Sequence, residues 1–444
     1  MSSLRLSFDL VAETVSHLSN DRQTLHSCFL VNRLWCEATV AILWSKPFEL
    51  IGPSVTRKWK KHAPILIEVC FMFLGDHMKK QLNLQRMRHA KSTFPYIGYI
   101  SQVNLYDILR AIGYWYECRR TNSSEQSKPR SLSFKRSKKV SKPSGHDEFT
   151  VDLIDKTFLE LIELVSPNLH TLTIESELSH SGGLLRQCMT RDKILRHINT
   201  LTARVNKVCG LIIEGRKQRL SPPTGGIDVS PLLMGQNRLQ KLKIQGYPTR
   251  LGIILSMLPT LAHCISNISF CSINFNERLS LSDLAACSNL QKLCFKRCSV
   301  PDQVKSTLSN ARMTSLRTLK VIGTSIDIGI LDTIIKNTNG SIEKIVSDGV
   351  ESEFSQRFWP SVGLVSQYCP NIRYIQMKIY NVDAGDLNLF RISCKKLCVM
   401  TLYVGSWQRS TLFYEFSDCK ITCIKDEGTA IIYQVQLPFR SYVS

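Results

Sequence analysis

Four cysteines in the last part of the chain have the spacing of a metal site. Cys394 and Cys398 form one C-x3-C pair, and Cys419 and Cys423 form a second. Four thiolates can satisfy a tetrahedral zinc ion, so the set invites a zinc hypothesis. The alternative is packing: Cys394 precedes Leu397 by three residues in a pattern that recurs along the chain, and a buried thiol behaves as a small apolar group. We favour packing and expect neither a metal nor another cofactor.

Patterns typical of catalytic sites do not occur in the sequence. It holds no phosphate-cradling glycine loop, no H-E-x-x-H and no G-x-S-x-G. Its ten histidines show no pairing with a candidate nucleophile. His170 and His263 fall in or beside predicted repeat elements, where a structural or solvated histidine is the simpler explanation. We therefore expect that the chain is not an enzyme.

Positive charge is concentrated in one short segment. The formal net charge is +21, and seven basic residues without an intervening acid are Lys128, Arg130, Lys135, Arg136, Lys138, Lys139 and Lys142. We interpret residues 119–148 as a basic, low-complexity linker, because large apolar side chains are too few there to offset the entropy of ordering. It could be a solvated linker, a nuclear-import signal or a contact to nucleic-acid phosphates. With Phe134 as its one aromatic residue, the segment has no base-stacking platform, which argues against specific nucleic-acid recognition.

Hydropathy and cysteine usage indicate a compartment. The longest apolar run, Ile65–Leu74, is interrupted by Glu68 and is shorter than the roughly 18 residues that a membrane span needs. Charged residues interrupt the beginning of the chain, where a signal peptide would be apolar. Sixteen cysteines without such a signal are expected to remain thiols. We expect a cytoplasmic or nuclear protein with no membrane partner.

A short apolar pattern recurs after the basic segment. It consists of an apolar residue, two others, an apolar residue, one other and usually a third apolar residue. Its occurrences are Leu169/Leu172/Ile174, Leu239/Leu242/Ile244, Ile265/Ile268/Phe270, Leu290/Leu293/Phe295, Leu316/Leu319/Val321, Ile342/Ile345, Ile372/Ile375/Met377 and Leu397/Met400/Leu402. From Leu239 on, the first members are separated by 26, 25, 26, 26, 30 and 25 residues. Such a period indicates stacked repeats that need their neighbours to bury their apolar faces.

Each period predicts one strand and one helix, with helix-like segments at Ile253–Leu258, Val304–Leu308 and Ile328–Ile335. The pattern is similar to leucine-rich repeats of the cysteine-containing kind, and Cys287–Cys298 matches best. This resemblance implies an α/β solenoid over residues 149–444, with a parallel strand plus a helix per repeat. Strand-like segments on both sides of Asp426-Glu427-Gly428 predict a hairpin that caps the array. The repeat boundaries between residues 175 and 238 stay open.

Residues between the inward apolar positions are expected on the concave face of the solenoid. Seven of them are lysines against two acids, which predicts an electropositive surface that favours an acidic or phosphorylated protein target. The predicted target-binding residues are Lys241, Lys243, Lys292, Lys296, Lys320, Lys344, Tyr374 and Lys378. Lysine on a strand face can also serve solubility alone, and this alternative stays open.

The first fifty residues carry apolar side chains at helical spacing and predict three short helices. The first runs from about Phe8 to Leu18, the second follows Asn20-Asp21, and the third carries Leu34, Ala38, Ala41 and Ile42 on one face. The chain from Leu4 to Phe48 resembles an F-box. The matching residues are Leu6, Asp9, Leu10, Val15, Leu18, Leu25, Cys28, Leu30, Val31, Asn32, Arg33, Trp35, Leu43 and Trp44. Ser7 stands where that family usually has proline.

The resemblance implies a function and a partner. F-box domains dock on the adaptor subunit of SCF ubiquitin ligases and, through it, on cullin. The residues expected in or just under that interface are Leu6, Leu10, Leu30, Val31, Trp35 and Trp44. The expected domains are thus an F-box at 1–48, a helical connecting region at 49–118, the basic linker at 119–148 and the repeat array. A plain helical cap, a nucleic-acid-associated protein and an F-box scaffold without a ubiquitination role are the alternatives.

Overall fold

The computed structural model divides the chain into two compact units, residues 1–211 and 212–444. It describes residues 7–51, 57–82, 84, 94–125, 145–175, 197–198, 208–215, 228–246, 251–275, 281–301, 308, 311–326, 328–347, 362–379, 389–390, 392–405, 419–426 and 430–436.

The first unit begins with the three predicted helices, α1 (Phe8–Ser16), α2 (Arg22–Phe29) and α3 (Arg33–Leu43). Each follows a polar N-cap, because the side chains of Ser7, Asp21 and Asn32 accept hydrogen bonds from backbone N–H groups of the first turn. The helices close over a small core of Val11, Val15, Leu25 and Ala38. A 3-10 helix, Pro47–Ile51, follows.

The connecting region contains α4 (Arg57–Phe71), α5 (Asp76–Gln81), α6 (Tyr96–Tyr99) and α7 (Leu105–Glu125). The helix that carries most of the apolar run Ile65–Leu74 therefore ends before α5 begins. Gly75 is the N-cap residue of α5 and has an extended backbone conformation. The helical hydrogen bonds of α4 therefore do not continue into α5. Phe71 of α4 meets Trp115 of α7 edge to face, with ring centroids 4.8 Å apart. Both rings are buried, so this pair joins the two long helices.

The first strand that carries the repeat pattern lies before residue 149, where the array was predicted to begin. β1 (Gln102–Asn104) pairs in parallel with β2 (Thr171–Glu175). Val103 within β1 and its flanking residues Ile100 and Leu105 are buried and repeat the apolar spacing. Repeat strands thus begin before the expected boundary at residue 149, and α7 is part of an insertion between the first two.

The predicted basic linker is shorter than expected at both ends. α7 continues to Glu125, and α8 (Gly145–Val165) begins within the segment assigned to the linker, followed by a 3-10 helix at Ser166–Asn168. Extending an existing helix costs far less than starting one, so helices can run into polar sequence. The basic run Lys128–Lys142 itself lies outside the described residues.

A repeated backbone contact connects the repeat strands of the first unit. The carbonyl of one residue accepts the N–H groups of two consecutive residues at the start of the next strand, and we refer to this contact as a rung. Ser45 accepts from Ser101 and Gln102, at 3.1 and 3.0 Å, and Ser101 accepts in the same way from His170 and Thr171. The end of the N-terminal helices therefore supplies the first rung. β3 (Gly210–Glu214) lies at the division between the units.

The second unit contains the regular repeats. Its strands are β4 (Lys241–Gln245), β5 (Asn267–Cys271), β6 (Lys292–Lys296), β7 (Ser299–Val300), β8 (Thr318–Ile322), β9 (Ser325–Ile326), β10 (Lys344–Ser347), β11 (Tyr374–Ile379) and β12 (Val399–Gly405). Seven of them pair in the order β4-β5-β6-β8-β10-β11-β12, all in parallel, while β7 pairs with β9. Rungs recur at Gln240, Ser266, Gln291, Arg317, Glu343 and Arg373.

The apolar pattern forms the core, as predicted. All of its residues are buried except Met377, whose side chain lies outside the described set. Ser347, which replaces the third apolar residue of its repeat, is buried as well. Three phenyl rings, from Phe270, Phe275 and Phe295, meet at centroid distances of 5.2 to 6.3 Å. The mixed α/β architecture with a large parallel sheet fits a leucine-rich-repeat solenoid.

The helices of the second unit are short. They are α9 (Ser230–Met234), α10 (Leu251–Ser256), α11 (Leu258–Leu261), a 3-10 helix at Ser282–Ala286, α12 (Ile328–Lys336) and α13 (Val362–Tyr368). The predicted helix Ile253–Leu258 is interrupted between α10 and α11, where Pro259 stands in the first turn of α11 and fits a helix start. Ile328–Ile335 matches α12. Of Val304–Leu308, only Leu308 is described.

The predicted hairpin is present at the end of the array. β13 (Lys420–Asp426) and β14 (Ala430–Gln436) pair antiparallel, and β14 also pairs antiparallel with β12. The hairpin thus covers the free edge of the last repeat strand. In the described part of the chain, no helix has the length and hydropathy needed to cross a membrane.

Replacing Phe270 with alanine should destabilise the second unit by about 3 to 5 kcal/mol, because it removes a buried ring from the phenylalanine cluster. Urea denaturation followed by circular dichroism measures the change. Met234→Ala, at a position 62% exposed, is the control and should leave the transition nearly unchanged. Equal effects of both variants would contradict the assignment of the core.

Candidate interaction surfaces

Apolar residues are exposed on the N-terminal helices although these helices have a closed core. Leu10, Leu30 and Val31 expose 60, 68 and 61% of their surface. All three were predicted to bind the adaptor. Leu30 is the C-cap residue of α2, and Val31 lies between α2 and α3. Phe8 is also 46% exposed. The sequence prediction used Phe8 only to mark the start of the first helix. Its exposure could have been expected, because Phe8 is an apolar residue outside the periodic set that is buried.

The two predicted tryptophans have other contacts. Trp35 is half-buried and packs against the core of the three helices. Trp44 is also half-buried, and its ring centroid lies 4.5 Å from that of Tyr96 in the connecting region. Both therefore offer less surface to a partner than Leu10, Leu30 and Val31. Leu6 lies outside the described residues.

Ser7, where the predicted F-box pattern would have proline, is the N-cap residue of α1. Its hydroxyl oxygen accepts a hydrogen bond from the Leu10 N–H at 3.3 Å and caps α1. The second helix is capped in the same way by Asp21, whose pKa is lowered chiefly by the hydrogen bond from the Thr24 hydroxyl. The start of α1 is thus fixed by a cap instead of a proline ring.

The strand register arranges the predicted target-binding lysines in rows, which we call the lysine face. Lys241, Lys292 and Lys344 share one row, with Asn267 and Thr318 on the strands between them. The ammonium-bearing strands are therefore about 10 Å apart. This distance is close to the Debye length at physiological salt, so the charges add to one positive field with little mutual repulsion.

The second and third rows of the lysine face carry the other lysines. Lys243 and Lys320 lie in the second row, and Lys296 lies in the third. None of the six lysines is buried. Within the described part of the chain, no carboxylate lies within 4.0 Å of their ammonium groups. The face is thus electropositive without internal compensation. The side chain of Lys378 lies outside the described set.

Tyr374 continues the first row and is held in place by polar contacts. The ammonium of Lys344 lies 4.0 Å from the centroid of its ring, a cation–π contact. The hydroxyl of Tyr374 donates to the Gln376 side-chain oxygen at 3.2 Å and lies 3.3 Å from the Thr401 hydroxyl. The ring is therefore an ordered aromatic element on an otherwise cationic surface.

Four residues that were expected on the exposed concave face are buried: Cys271, Cys294, Val346 and Thr401. Their register places Cys294 between Ser269 and Lys320, so it shares the lysine row. These side chains are short, and a longer side chain lies beside them on an adjacent strand, as Lys320 does beside both Cys294 and Val346. The alternation of apolar and polar residues along a strand predicts on which side of the sheet a residue lies. It does not predict whether a short side chain there is exposed to solvent.

The cysteines do not form the hypothesised zinc site in the described part of the chain, where no three potential ligands are close enough to hold a metal. Cys394 is buried, and burial raises the pKa of its thiol to about 11. Burial likewise raises the pKa of Cys369 to about 12 and that of Cys287 to about 12. These thiols occupy the same repeat position and pack as apolar groups. Cys398 and Cys423 are exposed.

The comparisons with known proteins add partial likenesses. No protein-family model matches the chain, and no curated protein matches it. Among solved structures, the TLR13–ssRNA13 complex is 14% identical over 53% of this chain, with a TM-score of 0.31. An internalin, InlF, from Listeria monocytogenes is 14% identical over 58%, with a TM-score of 0.28. A protein from Bacteroides fragilis is 14% identical over 64%, with a TM-score of 0.26.

These three are leucine-rich-repeat proteins, and the chain covers 32, 61 and 81% of their respective lengths. The chain thus spans about a third of the first and less than two thirds of the second. All three TM-scores are low, and the assignment of a solenoid rests on the strand register and the rungs.

Alkylation of the folded protein with iodoacetamide near neutral pH should label Cys398 and Cys423 and spare Cys287, Cys369 and Cys394. The thiolate is the reactive form, and a pKa of about 11 to 12 leaves almost none of it at that pH. Peptide mass spectrometry measures the labelling.

The control is the same reaction in denaturant, where all five cysteines should react. If Cys394 is labelled as fast as Cys398, the packing interpretation is wrong. If added zinc protects both exposed thiols, the metal hypothesis is restored.

Proposed function

We propose that this chain is the substrate-recognition subunit of an SCF-type cullin-RING ubiquitin ligase. In this role the N-terminal helices bind the adaptor subunit and the repeats bind a target protein. The chain itself catalyses no reaction. The observation that carries the proposal is the exposure of Leu10, Leu30 and Val31, three residues at F-box positions, on helices whose core is already closed.

Exposed apolar side chains are the physical reason for docking. A three-helix unit of this size can bury only a small set of residues, and here Val11, Val15, Leu25 and Ala38 fill that role. Leu30 and Val31 therefore gain a dry environment only when a partner covers them, which favours association by about 25 cal/mol for each Å² of apolar surface. This supports a protein interface at the turn between α2 and α3.

The rung at Ser45 supports an adaptor role. The carbonyl that follows the third helix accepts from the first residues of the repeat ladder, so the helices are joined to the first repeat strand by backbone hydrogen bonds. Such a connection fixes the docking helices on β1 more firmly than a flexible linker would. Ubiquitin transfer then gains from proximity, because a bound target lysine is held near a charged conjugating enzyme.

The lysine face supports an acidic or phosphorylated target. Six described lysines and Tyr374 form a positive surface with one ordered ring. One of the similar structures is a complex with RNA, and a nucleic-acid partner is the second candidate. Among the described side chains of the lysine face, one ring, that of Tyr374, could stack a base, and a tract of bases needs several, which favours the protein target. Salt titration against random oligonucleotides separates these two functions.

Leu30→Ala combined with Val31→Ala should weaken binding to the purified SCF adaptor about tenfold to a hundredfold. The two truncations remove apolar surface that the complex would bury, and both positions are exposed in the free chain, so folding should be preserved. Isothermal calorimetry measures affinity, and thermal unfolding checks the fold.

Ile65→Ala is the matched control, since Ile65 is an exposed apolar residue of the same unit at 59% exposure. It should bind like the unchanged chain. Deleting residues 1–48 should abolish capture of adaptor and cullin. Full adaptor affinity of the double variant would remove the exposed residues from the interface.

Reversing Lys241, Lys292 and Lys296 to glutamate should abolish capture of an acidic target and flatten the salt dependence of its binding. Affinity capture with mass spectrometry identifies targets, and a salt titration with a captured target gives the slope. Arg238→Glu, at an exposed cation outside the lysine rows, is the control for a single charge reversal. Unchanged capture by the triple variant would exclude the lysine face as the target site.

A further inference from the structure

A cavity lies in the second unit beside the residues at which four repeat strands begin. Its volume is about 440 Å³, and all nine residues that line it are polar. Arg317, Arg373 and Lys396 contribute three cations and Glu343 contributes one carboxylate, so the lining has a net charge of +2. The lining suits a polar, anionic ligand and offers no apolar side chain for a hydrophobic one.

The rungs hold the charged residues of the cavity in order. Arg317, Glu343 and Arg373 directly precede β8, β10 and β11, and the carbonyl of each forms a rung. Neighbouring strands are about 4.8 Å apart, so three side chains of alternating charge leave the backbone at that spacing. The backbone is fixed before any ligand arrives, which lowers the entropy that binding must overcome.

The hydrogen bonds leave cationic donors available. Arg317 Nη1 donates to Glu343 Oε1 at 3.3 Å, and Lys396 Nζ donates to Asn371 Oδ1 at 2.7 Å. Among the described residues, no carboxylate lies within 4.0 Å of the Arg373 guanidinium. One carboxylate cannot neutralise three cations, and the flat guanidinium of Arg373 presents its full donor set.

We infer that this cavity binds a phosphorylated side chain of a partner protein. A phosphomonoester carries a charge near −2 at neutral pH, which matches the lining, and its three terminal oxygens suit guanidinium forks. A nucleic-acid phosphate carries only one charge, and no lining residue is aromatic and able to stack a base. The inference deepens the proposed function, on which it rests for the presence of a protein target, and assigns that target a phosphate outside the lysine face.

The test uses the full chain and a short glycine–serine peptide with one central phosphoserine as the probe. Fluorescence anisotropy should detect binding of this peptide and at least tenfold weaker binding of its serine and glutamate counterparts. No histidine lines the cavity. Binding should therefore weaken from about pH 7.5 to about pH 5.5 as the phosphate takes up its second proton near pH 6.

Two substitutions with opposite effects locate the site. Arg373→Gln should weaken phosphopeptide binding at least tenfold, whereas Glu343→Gln should strengthen it several-fold by removing the competing carboxylate. The matched controls are Arg238→Gln and Asp283→Asn, which make the same charge changes outside the cavity and should have little effect. A gain in affinity cannot arise from misfolding, so Glu343→Gln keeps the test decisive if Arg373→Gln unfolds.

Equal binding of phosphorylated and unphosphorylated peptides would overturn the inference, as would cavity variants that behave like their controls. Tighter binding of a random oligonucleotide than of the phosphopeptide, sensitive to Arg373→Gln, would also overturn it in favour of nucleic acid. Adaptor binding is measured in parallel for every variant and should not change. Absence of phosphopeptide binding by the unchanged chain with intact adaptor binding would therefore overturn this inference alone, whereas absence of adaptor binding would overturn the proposed function.

Discussion

The rung, in which one carbonyl accepts two consecutive N–H groups of the next strand, is the contact on which the repeats depend. It recurs at Ser266, Gln291, Arg317, Glu343 and Arg373 in the second unit. The apolar residues that follow each rung can be buried only when the next strand stands in register, because a single strand leaves its inner face in water. Backbone register and core packing thus reinforce each other. The polar side chains that lie between the buried residues are therefore held at the spacing of the strands.

The same contact gives the N-terminal helices a defined attachment in the first unit. Ser45 accepts the first rung, one residue after Trp44 packs on Tyr96. The core of the three helices is closed, so the exposure of Leu30 and Val31 does not reflect a missing neighbour within the chain's described part. Leu30 and Val31 lie in the turn before the capped start of α3. Their exposure therefore does not disturb the hydrogen bonds or the core of the helices. This arrangement suits the docking surface that we propose.

The sequence predicted the regular repeats because their period and their apolar spacing agree. It missed β1 and β3, although Ile100/Val103/Leu105 and Val208/Leu211/Ile213 carry the same apolar spacing and are buried. Three apolar residues are a weak signal for a strand. Only their recurrence at intervals of about 26 residues made the prediction of repeats persuasive. β1 and β2 are separated by an insertion, so the period is lost there. Polar sequence also hid the end of α7, which continues to Glu125.

The candidate sites were predictable only where they follow directly from strand alternation. Alternation placed the lysines outward, and none of the described ones is buried, but it could not tell that Cys294 would be covered by its neighbours. The cavity left no comparable signal. Arg317 and Lys396 are 79 residues apart in the sequence and stand at different positions of their repeats. Only the rungs bring their strands to one edge, so the charge pattern there is a property of the register and not of any local motif.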